Sequence, residues 1–331
     1  MTEAAAPLLE VAGLRIVFRG GRETVHAVNG ASFDVAAGET AAILGESGSG
    51  KSVTAAAIMR LLQIPPAVVA GGEIRFKGED VLAMPLSRWR QLCGREIAMV
   101  FQDALASLNP VFSVGWQIAE LFRAHGVATG GDADARAVEL LARVGIPDPA
   151  NRARDYPHQF SGGMRQRAMI AMAIALGPDL LIADEPTTAL DVTVQAQIMD
   201  LLQGLQEEIG MAVMLISHDL GVVADVADRV AVMYAGRVIE SGRVRDVLAR
   251  PGHPYTLALL ESVPRVQHKN AKLRPIVGSP PDMARIPKGC AFHPRCRFAT
   301  AECRNAAPPP VAIAPGRAVE CHHAEKVFNG G

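Results

Sequence analysis

The 331-residue chain predicts an α/β fold, a largely parallel sheet with phosphate chemistry on its loops, followed by a smaller, irregular C-terminal region. Three observations predict it. Short apolar runs, Thr40-Ala41-Ala42-Ile43-Leu44, Leu180-Leu181-Ile182-Ala183 and Ala212-Val213-Met214-Leu215-Ile216, stop on polar or glycine residues, which is how strands buried on both faces read. Between the first run and an apolar helical segment over Val53 to Gln63 stands Gly45-Glu46-Ser47-Gly48-Ser49-Gly50-Lys51-Ser52. It matches G-x-x-x-x-G-K-[ST] in the strand, loop, helix order that the pattern needs. From Pro251 onward, eleven Lys/Arg stand against five Asp/Glu and twelve of the 22 prolines accumulate, so a domain boundary is expected near Arg250.

The glycine-rich loop sets the chemistry. Its glycines let backbone N–H groups turn inward around phosphates, Lys51 reaches the terminal phosphates, and the Ser52 hydroxyl can ligate magnesium, so a nucleoside triphosphate is the expected ligand. Composition narrows the class. A hydrophobic content of 49% is globular, and a net charge of -1 speaks against a nucleic-acid binder driven by bulk charge. The longest apolar run, Ala168 to Leu176, is about half of the ~18 residues that span a bilayer. Met1-Thr2-Glu3-Ala4 lacks a basic region ahead of an apolar stretch, so the chain is expected to stay in the cytoplasm without crossing a membrane.

The first elements read as antiparallel strands, Leu8 to Phe18 and a second through Ala31 to Val35, joined by a turn at Gly20-Gly21. Phe18 ends the first of them, where it can stack on an adenine ring or equally fill the core. Glu73 to Phe76, flanked by glycines, reads as another hairpin strand. Ile97 to Gln102 is an apolar strand ending on an amide able to reach a magnesium ion or an attacking water. Ser113 to Arg143 has helical periodicity, with breaks expected at Gly126 and at Gly130-Gly131. A helical subdomain over about 103–176 is therefore expected between the halves of the sheet.

A second anion-binding pattern follows. Phe160-Ser161-Gly162-Gly163-Met164-Arg165-Gln166-Arg167 opens a long apolar helix stopped by Gly177-Pro178, with Ser161 as its N-cap. Leu180 to Glu185 is a strand ending in two carboxylates, of which Asp184 can hold the magnesium shell and Glu185 can polarise a water. Thr188-Ala189-Leu190-Asp191 is a loop. Ala212 to Ser217 is a strand expected beside it, leading to His218, whose imidazole could sense the terminal phosphate.

In this order and spacing, Gly45 to Ser52, Gln102, Phe160 to Arg167, Leu180 to Glu185, Thr188 to Asp191 and His218 resemble the motifs of an ABC-transporter ATPase, over about residues 8–250. The resemblance implies a RecA-like P-loop NTPase core with an antiparallel β subdomain and an inserted helical subdomain. It also implies ATP and Mg2+ as ligands, and two ATPase domains packed head to tail. The Ser161, Gly162, Gly163 loop and Asp191 of one would then close on the ATP held by Gly45 to Ser52 of the other. Met164 stands where many signatures have glutamine, so a polar contact to the opposite nucleotide is expected to be lost.

The tail narrows the resemblance. His253-Pro254-Tyr255-Thr256, Gly278 to Met283 and Gly289-Cys290-Ala291-Phe292-His293-Pro294-Arg295-Cys296 resemble the C-terminal extension of oligopeptide, dipeptide and nickel importer ATPases, here residues 251–331. Together with Gly163 to Ala173 and Ala183 to Gln197, they look like the first of the two paralogous ATPases such systems carry. The implied partners are a paralogous second ATPase, two membrane permeases docked near 103–117 and an external solute-binding protein, at the cytoplasmic face of the inner membrane. Alternatives are the same machinery serving nickel or another small solute, a soluble non-transport ABC ATPase, and a regulatory subunit that binds ATP without hydrolysing it.

Of five cysteines, Cys93 stands alone, while Cys290, Cys296, Cys303 and Cys321 fall in a proline-rich segment with little helix or strand pattern. Four thiols in a reducing compartment suit metal more than disulfides, either zinc or an iron-sulfur cluster. The tight C-x2-4-C pair usual for zinc is absent, and some relatives carry a 4Fe-4S cluster at a matching pattern, so a 4Fe-4S cluster is expected, with Zn2+ or reduced thiols as alternatives. His293, His322 and His323 could join a zinc site. Arg295, Arg297 and Arg304 could offset thiolate charge or stay solvated.

Overall fold

A computed structural model describes residues 6–21, 23–188, 190–262 and 275–330; Ala189, within the loop expected at 188–191, lies outside them. The chain forms two compact units, one of residues 1–35, 40–82 and 217–331 and the other of 36–39 and 83–216.

The first unit opens with β1 (Leu9–Arg19), β2 (Thr24–Val35), β3 (Thr40–Leu44), α1 (Lys51–Ile58), β4 (Ala67–Phe76) and β5 (Glu79–Asp80). Strands β2, β1, β4 and β5 make an antiparallel sheet in that order, with apolar residues such as Leu9, Val11, Leu14 and Ile16 buried on one side of β1. Phe18 pairs with Val25 and Ala67 in this sheet and is half-buried.

The second unit runs through α2 (Leu86–Leu92), β6 (Ile97–Val100), α3 (Ala104–Ser107), α4 (Val114–Ala124), α5 (Gly130–Arg143), α6 (Pro149–Arg152), α7 (Gly162–Ile174), β7 (Leu180–Asp184), α8 (Val192–Ile209) and β8 (Ala212–Ser217). Strands β6, β7 and β8 are parallel, with β7 central and every residue of β7 and β8 buried. That burial is why they read as unbroken apolar runs. Gly130 and Gly131, expected to interrupt the helical segment, instead form the first turn of α5; the interruption falls at Gly126 after α4. A first turn tolerates glycine because its N–H groups have no partner within the helix.

The chain then returns to the first unit with α9 (Leu220–Val226), β9 (Arg229–Tyr234), β10 (Arg237–Arg243), α10 (Val244–Ala249), α11 (Pro254–Ser262), α12 (Ala301–Asn305), β11 (Val311–Ala314), β12 (Arg317–Val319) and α13 (Ala324–Gly330). Here β3 pairs in parallel with β9, β9 with β10, β10 with β12 and β12 with β11, the last three antiparallel. The tail thus contains regular structure where a nearly patternless segment was expected. It also shares the core of this unit: Tyr255 and Phe292 are buried in one cluster with Leu44, Val230, Val232, Tyr234 and Ile239, and Met283, Ile286, Cys290 and Cys296 pack against it.

One buried ion pair joins tail and sheet. Glu240 on β10 accepts Arg317 Nη2 at 2.7 Å, Gly252 N–H at 2.7 Å and His253 N–H at 3.0 Å. Arg317 also donates to the carbonyls of Asp246 at 3.1 Å and Arg250 at 2.8 Å. Both side chains are nearly inaccessible, 0% and 4% exposed. Burial pushes the Glu240 carboxyl up from its ordinary range, against the hydrogen bonds it accepts.

Candidate nucleotide site

In the first unit, β3 delivers the chain into the Gly45 to Gly50 loop and α1 begins at Lys51. Two positions there admit only glycine. A Cβ on Gly45 would sit 2.3 Å from the Met233 carbonyl oxygen, and one on Gly50, at φ 100°, would sit 2.4 Å from that of Ala27. Lys51 is buried, and its Nζ donates to the Gly45 and Glu46 carbonyls at 2.8 and 3.1 Å, so its charge is held against the loop it follows. Ser52, next on the helix, is exposed. Ser49 Oγ is buried without a hydrogen-bond partner among the described residues, a polar atom poised to bond a ligand. His218 is exposed just before α9, whose N-cap Asp219 accepts from Gly221 N–H at 2.8 Å.

In the second unit, β7 ends on buried Asp184, and Glu185 follows in the left-handed region at φ 45°, a conformation that costs a residue with a side chain roughly 1–2 kcal/mol. Parallel pairing of β6 with β7, Val100 against Ala183, sets the Gln102 loop beside it. Gln102 Nε2 donates to Glu185 Oε2 at 3.3 Å and Thr188 Oγ1 donates to the same oxygen at 2.9 Å. The carboxylate is thereby aimed by two side chains. Thr188 is a residue whose orienting role the sequence did not reveal, although it stands in the loop singled out there.

The signature helix is capped as expected: Ser161 Oγ accepts from Met164 N–H at 3.2 Å. Asp191 caps α8 in the same way, accepting from Val194 N–H at 2.9 Å. A cleft of about 530 Å3 is lined by Gln102, Leu105, Gly162, Arg165, Gln166 and Thr188, so the Gln102 loop and the signature loop open onto one space in this unit. Beside the cleft residue Leu105, the side chains of Phe101, Val111, Phe112 and Trp116 are exposed, with Phe112 and Trp116 stacked at 4.2 Å between centroids.

The four tail cysteines lie in the first unit. They are near enough to one another that an ionised neighbour would oppose ionisation of Cys290, Cys296 and Cys321. Burial pushes Cys290 up to about 11 and Cys321 up to about 12, and it also raises Cys296. Phe298 N–H donates to Cys296 Sγ at 3.4 Å and His323 N–H to Cys321 Sγ at 3.3 Å, while His323 Nε2 lies 3.6 Å from Cys303 Sγ. Among the described residues, no three His, Cys, Asp or Glu side chains converge in an arrangement that holds a metal ion. Two of the arginines make forked ion pairs: Arg297 holds Glu261 at 2.8 Å on both arms while its charge still favours the Cys296 thiolate, and Arg295 holds Glu46 in the phosphate loop.

A family described as ABC transporter matches residues 28–188, and one described as oligopeptide/dipeptide transporter, C-terminal region, matches residues 239–303. A Brucella melitensis protein named for peptide import and ATP binding is 50% identical over 318 residues, covering 93% of this chain and 94% of its own. One of the same description from Brucella abortus is 51% identical over 317 residues, 96% and 95% of the two chains. Among solved structures, a dimeric ATP-binding cassette in a post-hydrolysis state bound to ADP and Pi is 27% identical at TM-score 0.64, over 72% of this chain and 99% of its own. A subunit of an ABC transporter complex from Clostridium perfringens is 30% identical at TM-score 0.61, over 73% and 91%.

Proposed function

We propose, from the premise that this chain belongs to the ABC transporter ATPases and carries the C-terminal region of the oligopeptide/dipeptide type, that it powers the uptake of peptides by hydrolysing ATP. Its place is peripheral to the membrane, at the cytoplasmic face. No helix among the described residues is long and apolar enough to cross a bilayer. The exposed apolar side chains at Phe101, Leu105, Val111, Phe112 and Trp116 support a docking surface for permease helices near 103–117. An external binding protein would deliver the solute; the alternative reading is the same machinery with nickel or another small solute in place of peptides.

The observation that carries the catalytic reading is the Glu185 carboxylate, held in a left-handed backbone and oriented by Gln102 and Thr188. In this reading Glu185 is the general base that takes a proton from the attacking water. Lys51 and the backbone N–H groups of Gly45 to Ser52 bind the phosphates, Ser52, Gln102 and Asp184 serve the Mg2+ shell, Phe18 stacks on the base and His218 responds to the terminal phosphate. When bound there, Mg2+ would supply neutralisation of the phosphate charge. Ser161, Gly162, Gly163 and Asp191 serve the nucleotide of a partner ATPase, a paralogous second subunit, so ATP binding closes the pair and hydrolysis reopens it.

Cys290, Cys296, Cys303 and Cys321 are the residues that would hold a 4Fe-4S cluster, or alternatively Zn2+. What supports this donor set is the chemistry of four thiols within one segment; among the described residues, the side chains do not converge on a metal position. Such a group would staple a proline-rich segment.

The experiment is Glu185→Gln in the transporter assembled with its partners. ATP binding should persist while turnover falls by about a hundredfold or more. Near-normal turnover would remove Glu185 from the role of base.

A further inference from the structure

Glu46 places a carboxylate on the loop proposed to receive the phosphates of ATP, and an unneutralised anion there opposes a polyanionic ligand. The first unit supplies the counter-charge from a position 249 residues away. Arg295 grips the carboxylate with both arms, Nη1 to Oε2 at 2.7 Å and Nη2 to Oε1 at 3.0 Å, the two-point geometry that makes such pairs strong. The Arg295 side chain is itself 5% exposed and fixed, donating from Nε to the Val277 carbonyl at 3.2 Å and from Nη1 to the Tyr234 hydroxyl at 3.4 Å.

The backbone of the same loop residue is also held. Glu46 N–H donates to the Tyr255 hydroxyl at 2.9 Å, and the Glu46 carbonyl accepts Lys51 Nζ at 3.1 Å. Tyr234, Tyr255 and Phe292 pack ring against ring with centroids 4.7 to 5.4 Å apart, so both anchors of Glu46 rest on one aromatic cluster contributed by β9, α11 and the segment before Arg295. Every hydrogen-bonding group of Glu46, N–H, carbonyl and carboxylate, is therefore engaged, two of the three by the C-terminal region.

We infer that Arg295, with Tyr255, is a positioning residue for nucleotide binding: it neutralises Glu46 and fixes the Gly45-Glu46 peptide, so that the C-terminal region sets the ATP affinity of the phosphate loop. The inference rests on Gly45 to Ser52 being the ATP cradle. It requires that the contribution of Arg295 pass through Glu46.

The test is the affinity of the full-length chain for a fluorescent mant-ATP in the presence of Mg2+. Arg295→Ala should weaken binding about ten-fold, and Arg295→Lys, which keeps charge but loses the fork, should recover part of that. In a Glu46→Gln background, the same Arg295→Ala change should alter affinity less than about two-fold, because the carboxylate it neutralises is gone. Wild-type affinity in a folded Arg295→Ala protein, or an equal loss in the Glu46→Gln background, overturns the inference. Should Arg295→Ala fail to fold, Tyr255→Phe removes one anchor with the ring left in place; it should weaken binding about three-fold, and unchanged affinity overturns the inference. Lys51→Ala separates the premises. If it binds mant-ATP as the wild type does, the cradle reading fails; if it does not bind and Arg295→Ala still binds normally, only the present inference fails.

Discussion

Removing the carboxylate of Glu240 should loosen the C-terminal strands from β10. In Glu240→Ala the Arg317 guanidinium, 4% exposed, is left without its counter-charge, and the N–H groups of Gly252 and His253 lose their acceptor. Breaking a buried pair from one side costs about 3–5 kcal/mol. Orphaned N–H groups add about 1 kcal/mol or more each, partly offset by relaxation of the short loop before α11. A local destabilisation of about 4 kcal/mol corresponds to roughly a thousandfold faster opening of the pairing between β10 and β12. Tryptophan fluorescence is a poor reporter, because both tryptophans, Trp89 and Trp116, belong to the second unit. Amide hydrogen exchange read by mass spectrometry over residues 237–243 and 317–319 is the appropriate assay. Glu240→Gln combined with Arg317→Met should exchange more slowly than Glu240→Ala, since no bare charge remains buried. Exchange of the β12 amides within about three-fold of wild type in Glu240→Ala would refute the reasoning.

Two further outcomes are expected. His253 is fully buried, and burial pushes its pKa down to about 3; a folded value below the unfolded one of about 6.5 means that its contribution to stability is complete above about pH 6.5 and is lost as pH falls toward 3. The associated slope is about 1.4 kcal/mol per pH unit, and urea midpoints followed by circular dichroism between pH 7 and 4 should show a shallower decline for His253→Gln than for the wild type; equal declines would remove His253 from the acid response. Iron and sulfide analysis of anaerobically purified protein should find about four of each per chain if the cysteines hold a 4Fe-4S cluster, whereas zinc without iron would sink that assignment.

The central strands were legible because their burial leaves a sequence imprint. Strands β3, β7 and β8 are covered on both faces, so each reads as a continuous apolar run, and the helix cap Ser161 stands directly before the helix it caps. The contacts that hold the phosphate loop left no such imprint. Tyr255 and Arg295 lie 209 and 249 residues from Glu46, and no periodicity or local spacing can pair them. They do stand inside the tail stretches that carry the resemblance to importer ATPases, which was the available signal. Arg295 also looked like a counter-ion for cysteines because Cys296 is its neighbour in sequence; the fold turns its guanidinium to a carboxylate instead. The strands β11 and β12 were missed for a different reason. They are four and three residues long, too short for an alternation to register, and they form by adding to β10.

That addition has a consequence for the life of the free subunit. Without the last residues, β10 would present unpaired N–H and C=O groups along a flank able to recruit the same strand from another copy. With β12 in place the outermost strand is β11, four residues long and preceded by Pro308-Pro309-Pro310, which offer no N–H groups to a newcomer. The tail therefore ends the sheet on a surface that cannot easily be extended. Chains trimmed before Val311 should self-associate at concentrations where the intact chain stays dispersed.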